Sequence, residues 1–465
     1  MKTLFKNIFF VSFGESGSRI LSFLTTILLI RVFSVEDYGY ISIATAIYGY
    51  AVLLSVHWLN PFGIKKISSG ENADFVTRLT SIRFILALFA LIIIIVITLL
   101  LDSKSDLQNL VFYFSLSLIP SAFFLDWYFQ AKENLKPVAL GKLIIASTYF
   151  LFCVVALYFK KSVVLVGLAF LFANMICALY LGIDYLKQNK IMYALSIRKW
   201  STILKESLPL SLATVLSQLN VNLPILLIGI FLGAYDAGIF SAAYKLIFFL
   251  LMLDRYYYSI FFPAFTRIYN SSKELTEVFF NTTLRITMIL LIFVAMLCLI
   301  FAEPLITLIF GVEYINSAFV FKLLIFYFIF TIMNSVFSFS LIAIGEERYY
   351  LRVIVISLIS NAILLFSLIN IYGVVGAALS IVLVEFFIMI SMIIRFKRFF
   401  ELKIKKYILQ LMALAGIVSI ITLYMRNINE IFSVIVGTTV YITGIFLIRL
   451  ISNNDWTLLK DKIWT

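Results

Sequence analysis

Long apolar runs separated by short polar segments follow one another along almost the whole chain. Each run is about 20 residues long, the length that an α-helix needs to cross the hydrocarbon core of a bilayer. The pattern therefore predicts an all-α polytopic membrane protein with about 14 transmembrane helices. The predicted spans are 8–33, 39–59, 82–101, 107–129, 138–158, 163–186, 208–232, 238–262, 284–302, 318–344, 353–371, 373–394, 404–424 and 431–451.

Composition agrees with this class and removes several kinds of chemistry. Of the 465 residues, 63% are hydrophobic and 13% are charged, which is far more apolar than a soluble domain. The three cysteines lie inside apolar runs and His57 is the single histidine, so we expect no metal site and no cofactor. The sequence also has no G-x-x-x-x-G-K-[ST] phosphate loop, which excludes ATP hydrolysis within this chain.

Positive charge is distributed unevenly between the predicted loops. If the N-terminus is cytoplasmic, 28 of the 37 Lys and Arg residues fall on cytoplasmic segments and 5 on external ones. Cytoplasmic loops of membrane proteins carry this excess, so both termini are predicted to be cytoplasmic. The net charge of +13 then indicates contact with anionic membrane lipids, and no nucleic acid is expected as a partner.

An internal repeat joins the end of one span to the start of the next through an Asp-x-Gly turn. The first copy lies at residues 27–42 and the second at residues 225–241. The copies are six spans apart, so both insert the same way up, as in the parallel repeats of transporters. We therefore predict a six-helix bundle at residues 1–190, a second one at 191–400, and two additional helices with a cytoplasmic tail at 401–465.

The order of several short motifs resembles bacterial polysaccharide flippases of the O-antigen (Wzx) type, in the multidrug/oligosaccharidyl-lipid/polysaccharide (MOP) exporter superfamily. The matching motifs are Ser18-Arg19, Leu29-Ile30-Arg31, Glu36-Asp37-Tyr38-Gly39, Leu208-Pro209, Phe240-Ser241-Ala242-Ala243-Tyr244-Lys245, Phe262-Pro263, Glu303-Pro304-Leu305 and Gly376-Ala377-Ala378.

The resemblance implies translocation of an undecaprenyl-diphosphate-linked oligosaccharide, an O-antigen or capsule repeat unit, by alternating access. It implies a transporter and not an enzyme, with other polysaccharide assembly proteins as further partners. Many members of the family have twelve spans, so the two spans after residue 400 are a departure from the pattern.

Three of the basic residues within the predicted spans are candidates for binding the substrate, because a charge at the centre of a span costs at least about 2.5–3.5 kcal/mol. Arg19, Lys245 and Arg255 suit a diphosphate headgroup, and we expect them to face a cationic cleft between spans 1–6 and 7–12. Arg19 also fits a self-neutralising pair with Glu15, four residues earlier. Arg255 also fits snorkelling toward the interface.

Five amide side chains in the spans could contact a glycan, and each also fits an interhelical hydrogen bond. They are Gln218, Asn220, Asn222, Asn334 and Asn361.

Four carboxylates in the spans are candidates for binding a proton or Na⁺ during transport: Glu15, Asp126, Asp254 and Glu385. Glu385 is the strongest of them because it lies mid-span without a basic residue three or four positions away. A neutral acid that is hydrogen-bonded to a neighbouring helix is the alternative for Glu385, and an interfacial position is the alternative for Asp126 and Asp254.

Two other functions remain open at this level. A cation-coupled drug antiporter of the same superfamily would require an acidic cavity, which the three basic residues disfavour. A membrane enzyme of glycan assembly would require external catalytic residues or a histidine paired with an acid. The external loops are short, and Pro61 stands four residues after His57.

Overall fold

The computed structural model describes residues 2–100, 105–159, 162–189, 200–403 and 405–451. In these ranges the regular secondary structure is helical, which confirms the predicted all-α class. The chain divides into two compact units, residues 1–242 and 243–465.

The first unit contains α1 to α10 and the beginning of α11. Its outer helices pack as neighbours, with α1 on α8, α8 on α9, and α2 on both α5 and α10. The bounds are α1 Lys2–Val32, α2 Val35–Ser55, α3 Asn60–Ser68, α4 Ala73–Leu100, α5 Ser105–Leu116, α6 Leu118–Ala122, α7 Asp126–Ala131, α8 Leu135–Phe159, α9 Val163–Gln188, α10 Trp200–Phe231 and α11 Ala234–Leu250.

The second unit contains the rest of α11 and all later helices. Here α15 packs on α12, α13 and α16, and α17 packs on α13 and α18. The bounds are α12 Met252–Tyr269, α13 Lys273–Ile300, α14 Ala302–Ile309, α15 Ser317–Ala343, α16 Glu347–Phe396, α17 Lys405–Arg426 and α18 Glu430–Leu447.

Eleven helical segments in the described part of the chain are long and apolar enough to cross a membrane. One of them, α16, has 50 residues and is interrupted by Gly373 at φ 57°. A left-handed backbone of this kind suits glycine, which has no Cβ. The interruption falls where two predicted spans, 353–371 and 373–394, meet. The count of fourteen spans and the division at residues 190 and 400 stay predictions.

Hydrogen bonds between the two ends of α16 show that it folds back on itself at Gly373. The Tyr349 hydroxyl donates to the carbonyl of Ser391 over 3.1 Å, and Arg395 forms a bidentate ion pair with Glu346 at 2.7–3.0 Å. We call residues 347–372 the first arm and residues 374–396 the second arm.

The two copies of the repeated turn contact each other in a reciprocal way. A Cβ added to Gly39 would overlap the carbonyl of Ala234, and a Cβ added to Gly238 would overlap the carbonyl of Val35. Gly39 and Gly238 are 199 residues apart in the sequence, and so are Val35 and Ala234. The contact is therefore symmetric about a local two-fold axis.

The fourth predicted span, 107–129, is not one continuous helix. It is divided into α5, α6 and α7, with a non-helical stretch before Asp126. Pro120, which has no N–H, lies in the turn before the break. Residues 123–125 leave the helical ladder, and a broken helix in a membrane needs other donors for its freed carbonyls. Arg83 on α4 supplies them: its guanidinium donates to the carbonyls of Phe124 over 2.8 Å and of Ser121 over 3.4 Å.

The last two helices, α17 and α18, contact α13 at several positions along its length. The Tyr441 hydroxyl donates to the carbonyl of Ile289 over 2.8 Å, and Arg426 donates to the carbonyl of Ile300 over 2.9 Å. Nearer the start of α17, the guanidinium of Arg285 lies 4.6 Å from the ring centroid of Tyr407. The two helices that depart from the twelve-span pattern are thus packed parts of the second unit.

Candidate functional site

Lys245 is the basic residue whose environment supports a binding role most clearly. It lies on α11, between the fully buried Tyr244 ring and the apolar run that follows, and its own side chain is half-buried. Its Nζ forms no hydrogen bond or ion pair with any residue in the described ranges. An ammonium group in such a position keeps its hydrogen-bonding capacity for a ligand or for water.

The other two predicted cationic residues differ from Lys245. Arg19 is half-buried on α1 and has an interaction partner in the protein. Glu15, one turn earlier, accepts from Lys142 Nζ of α8 over 2.7 Å. The side chain of Arg255 lies outside the described part of the structure. Their predicted roles in binding a diphosphate stay predictions.

The carboxyl group of Glu385, on the second arm of α16, lies next to the amide of Asn334 on α15. Asn334 Nδ2 donates to Glu385 Oε1 over 2.9 Å. Asn334 is 6% exposed, and its Oδ1 has no hydrogen-bond partner among the residues that the structure describes. The structure thus brings together one predicted ion-coupling residue and one predicted glycan contact, which the sequence analysis treated separately.

Further polar groups lie near this pair on α15, on the first arm of α16 and on α12. The Thr331 and Tyr327 side chains approach it from α15, and Tyr350 from the first arm of α16. Asp254, at the start of α12, is close enough to Glu385 for their charges to interact. We refer to Asn334, Glu385, Thr331, Tyr327 and Asp254 as the Glu385 cluster.

The remaining candidates lie in separate places in the fold. Asp126 begins α7 and interacts electrostatically with His57. On α10, Asn222 packs against the backbone of Gly49 on α2, Asn220 is half-buried, and Gln218 is exposed.

Asn361, on the first arm of α16, is buried at 3% exposure and has an interaction partner. Among the described residues, none of these carboxylate and amide groups lies in a cluster of polar side chains comparable with the Glu385 cluster.

Sequence reasoning missed Arg83, whose side chain is fully buried. No role is assigned to it from the sequence, although it lies within the predicted span 82–101. The signal that could have identified it is the break that Pro120 predicts in a neighbouring span, because freed carbonyls require donors. Its bonds to two main-chain carbonyls give it a structural role at that break.

Comparisons with known proteins agree with this architecture. A model of the family described as polysaccharide biosynthesis protein matches residues 4–269. Over 407 residues the chain is 24% identical to the capsular polysaccharide biosynthesis protein CapF of Staphylococcus aureus, covering 85% of this chain and 100% of CapF.

Among solved structures, the lipid II flippase MurJ in an inward closed conformation matches with a TM-score of 0.76 and 17% identity, over 96% of this chain and 100% of MurJ. An inward-facing multidrug resistance MATE transporter of the MOP superfamily matches with a TM-score of 0.59 and 16% identity, over 81% of this chain and 93% of that one. These likenesses confirm the predicted all-α membrane fold, and the family match covers more than half of the sequence. The chain therefore belongs to the polysaccharide biosynthesis protein family.

Proposed function

We propose that the protein translocates an undecaprenyl-diphosphate-linked oligosaccharide, an O-antigen or capsule repeat unit, across the bacterial inner membrane by alternating access. Membership of a polysaccharide biosynthesis family supports a saccharide substrate. The fold supports lipid-linked transport, since it is shared with a protein described as a lipid II flippase. The protein acts as a transporter and not as an enzyme.

The observation that carries the proposal is the half-buried Lys245 with no described protein partner. An ammonium group with few neighbouring charges attracts a diphosphate strongly, because water screens the interaction poorly inside a membrane protein. Arg19 and Arg255 are proposed as further contacts of the diphosphate, and the amides of α10 as contacts of the sugar. Transport is driven by an ion gradient through the Glu385 cluster.

The test is a flipping assay in reconstituted vesicles with a fluorescent undecaprenyl-diphosphate-linked oligosaccharide and a membrane-impermeant reductant that bleaches only the outer leaflet. Lys245→Ala should slow flipping about 10- to 100-fold, since a hydrogen bond to a charged group contributes about 1.5–3 kcal/mol. Lys245→Arg should retain most of the activity, because it keeps the charge.

Lys322→Ala is the matched control, because Lys322, near the start of α15, already forms an ion pair with Glu303 of α14. It should flip the lipid within about twofold of wild type, since a partly exposed ion pair contributes only about 0.2–1 kcal/mol. Wild-type protein that leaves the labelled lipid in one leaflet would contradict the proposal. Equal rates for Lys245→Ala and wild type would remove Lys245 from the path.

The acidic Glu385 cluster favours one second candidate, a cation-coupled drug antiporter. The same vesicles distinguish the two functions. An antiporter would accumulate a lipophilic cation against an ion gradient and would ignore the lipid-linked oligosaccharide, whereas the proposed flippase should do the reverse.

A further inference from the structure

From the pairing of Glu385 with Asn334, we infer that the Glu385 cluster binds a single proton, held between the Glu385 carboxyl group and the Asn334 amide. The inference rests on the proposed function and specifies which ion the cluster takes. It starts from the chemical complementarity of the two side chains.

A primary amide presents one donor and one acceptor, Nδ2 and Oδ1. A protonated carboxylic acid also presents one of each, so the two groups can form two parallel hydrogen bonds. One of these bonds is present, from Asn334 Nδ2 to Glu385 Oε1 over 2.9 Å. The second would run from a protonated Glu385 Oε2 to Asn334 Oδ1, the atom that lacks a partner in the described part of the chain.

An ionised carboxylate fits the same place less well. It offers only acceptors, so Asn334 Oδ1 would remain unpaired. Asn334 is only 6% exposed, and a buried unpaired polar atom costs about 1–3 kcal/mol. A negative charge on Glu385 would also repel Asp254, with which it interacts electrostatically. Protonation removes both penalties.

A metal ion also fits less well than a proton. A bound cation is surrounded by oxygen acceptors, whereas here an N–H group of Asn334 occupies one carboxyl oxygen. In the described ranges no group of three or more His, Cys, Asp or Glu side chains is placed to hold a metal ion. The other neighbours, Tyr327, Tyr350 and Thr331, carry hydroxyl groups that can donate as well as accept.

Proton binding then affects the packing of α15 against the second arm of α16. The doubly bonded acid and amide hold these two helices together, and loss of the proton removes one bond and places two oxygens opposite each other. The cluster can thus link the occupancy of a proton to the contact between the two helices.

Infrared difference spectroscopy of the protein in nanodiscs, without substrate, tests this directly. Wild type should show the carbonyl band of a protonated carboxylic acid that disappears at high pH. Glu385→Gln should lose the band and still fold, because a glutamine amide can form the same two bonds with Asn334. Asn334→Leu should keep the band but shift it to higher frequency, since the carbonyl loses its hydrogen bond.

Glu346→Gln is the matched control, because Glu346 forms an ion pair with Arg395 in the same unit and does not contact Asn334 through any described bond; the band should be unchanged. Absence of the band in wild type, or its persistence in Glu385→Gln, would overturn the inference. A band that disappears on adding NaCl at constant pH would assign the site to Na⁺ instead. Since no substrate is present, an intact band together with failed flipping would contradict the proposed function alone.

Discussion

At the residue scale, each charged side chain within a span has its own way of reducing the cost of burial. Arg83 donates to main-chain carbonyls at a broken helix, and Glu385 accepts from an amide. Lys245 makes no such bond with the residues described. A membrane protein retains uncompensated charge mainly where a substrate or ion uses it, which is why Lys245 and Arg83 receive different roles here.

Glu303 lies outside the predicted spans, and its ion pair with Lys322 gives a pH-dependent prediction. Lys322 Nζ donates to Glu303 Oε1 over 2.8 Å, and this hydrogen bond and the positive charge hold the pKa of Glu303 below its ordinary value of 4.5. The pair therefore stabilises the fold above pH 4.5, and this contribution is lost as the pH falls through the lowered pKa.

Because the side chains of Lys322 and Glu303 are 36% and 52% exposed, the contribution is about 0.2–1 kcal/mol at most. We expect Glu303→Gln to lower the melting temperature by no more than about 2 °C at pH 7, and to melt like wild type once the pH is below the lowered pKa. Glu313→Gln is the control, since Glu313 is exposed and has no partner among the described residues. A difference from wild type that grows on acidification would contradict the assignment.

At the element scale, the reciprocal contact between the two repeated turns depends on the absence of a side chain. Gly39 and Gly238 let the starts of α2 and α11 approach each other's backbone. Ser34 caps α2 by accepting from the N–H of Asp37 over 3.2 Å, which fixes where that helix begins. A few small or polar residues thus determine where α2 begins and how closely α2 and α11 approach each other.

Alanine at either glycine should disturb this contact. We expect Gly39→Ala and Gly238→Ala each to destabilise the protein by about 1–3 kcal/mol, the usual cost of overpacking, and to a similar extent because the contact is symmetric. Thermal unfolding in detergent, followed by size-exclusion chromatography, measures this. Gly182→Ala is the control, because a Cβ there meets no atom within 4 Å; unchanged melting of all three variants would exclude the contact.

The sequence was sufficient for the helical class and for the repeated turn, because apolar runs of about 20 residues and an Asp-x-Gly pattern are local signals. It was not sufficient for the Glu385 cluster. Asn334 and Glu385 are 51 positions apart, and only the fold-back at Gly373 and the packing of α15 bring them together. The break in the fourth span was also not predicted from the sequence, because the residue that stabilises it, Arg83, lies on another helix.

At the scale of the whole molecule, the excess of basic residues on one set of loops remains the argument for orientation. We expect both termini to be cytoplasmic. A reporter that is active only outside the cytoplasm should be active when fused at Lys160, and one that is active only inside should be active at Arg398. Reversed activities would contradict the orientation, and agreement at one position alone would contradict the number of spans between them.

The bonds of Arg83 also impose an order on synthesis. The carbonyl that Arg83 Nη1 binds belongs to a residue 41 positions later in the chain, so α4 leaves the ribosome before its partner exists. At about 5–20 residues per second, the delay is roughly 2–8 s. During that interval the guanidinium must remain with water or lipid phosphate at the membrane surface. The nascent α4 therefore reaches its final depth only after the segment that contains Pro120 and Phe124 has been inserted beside it.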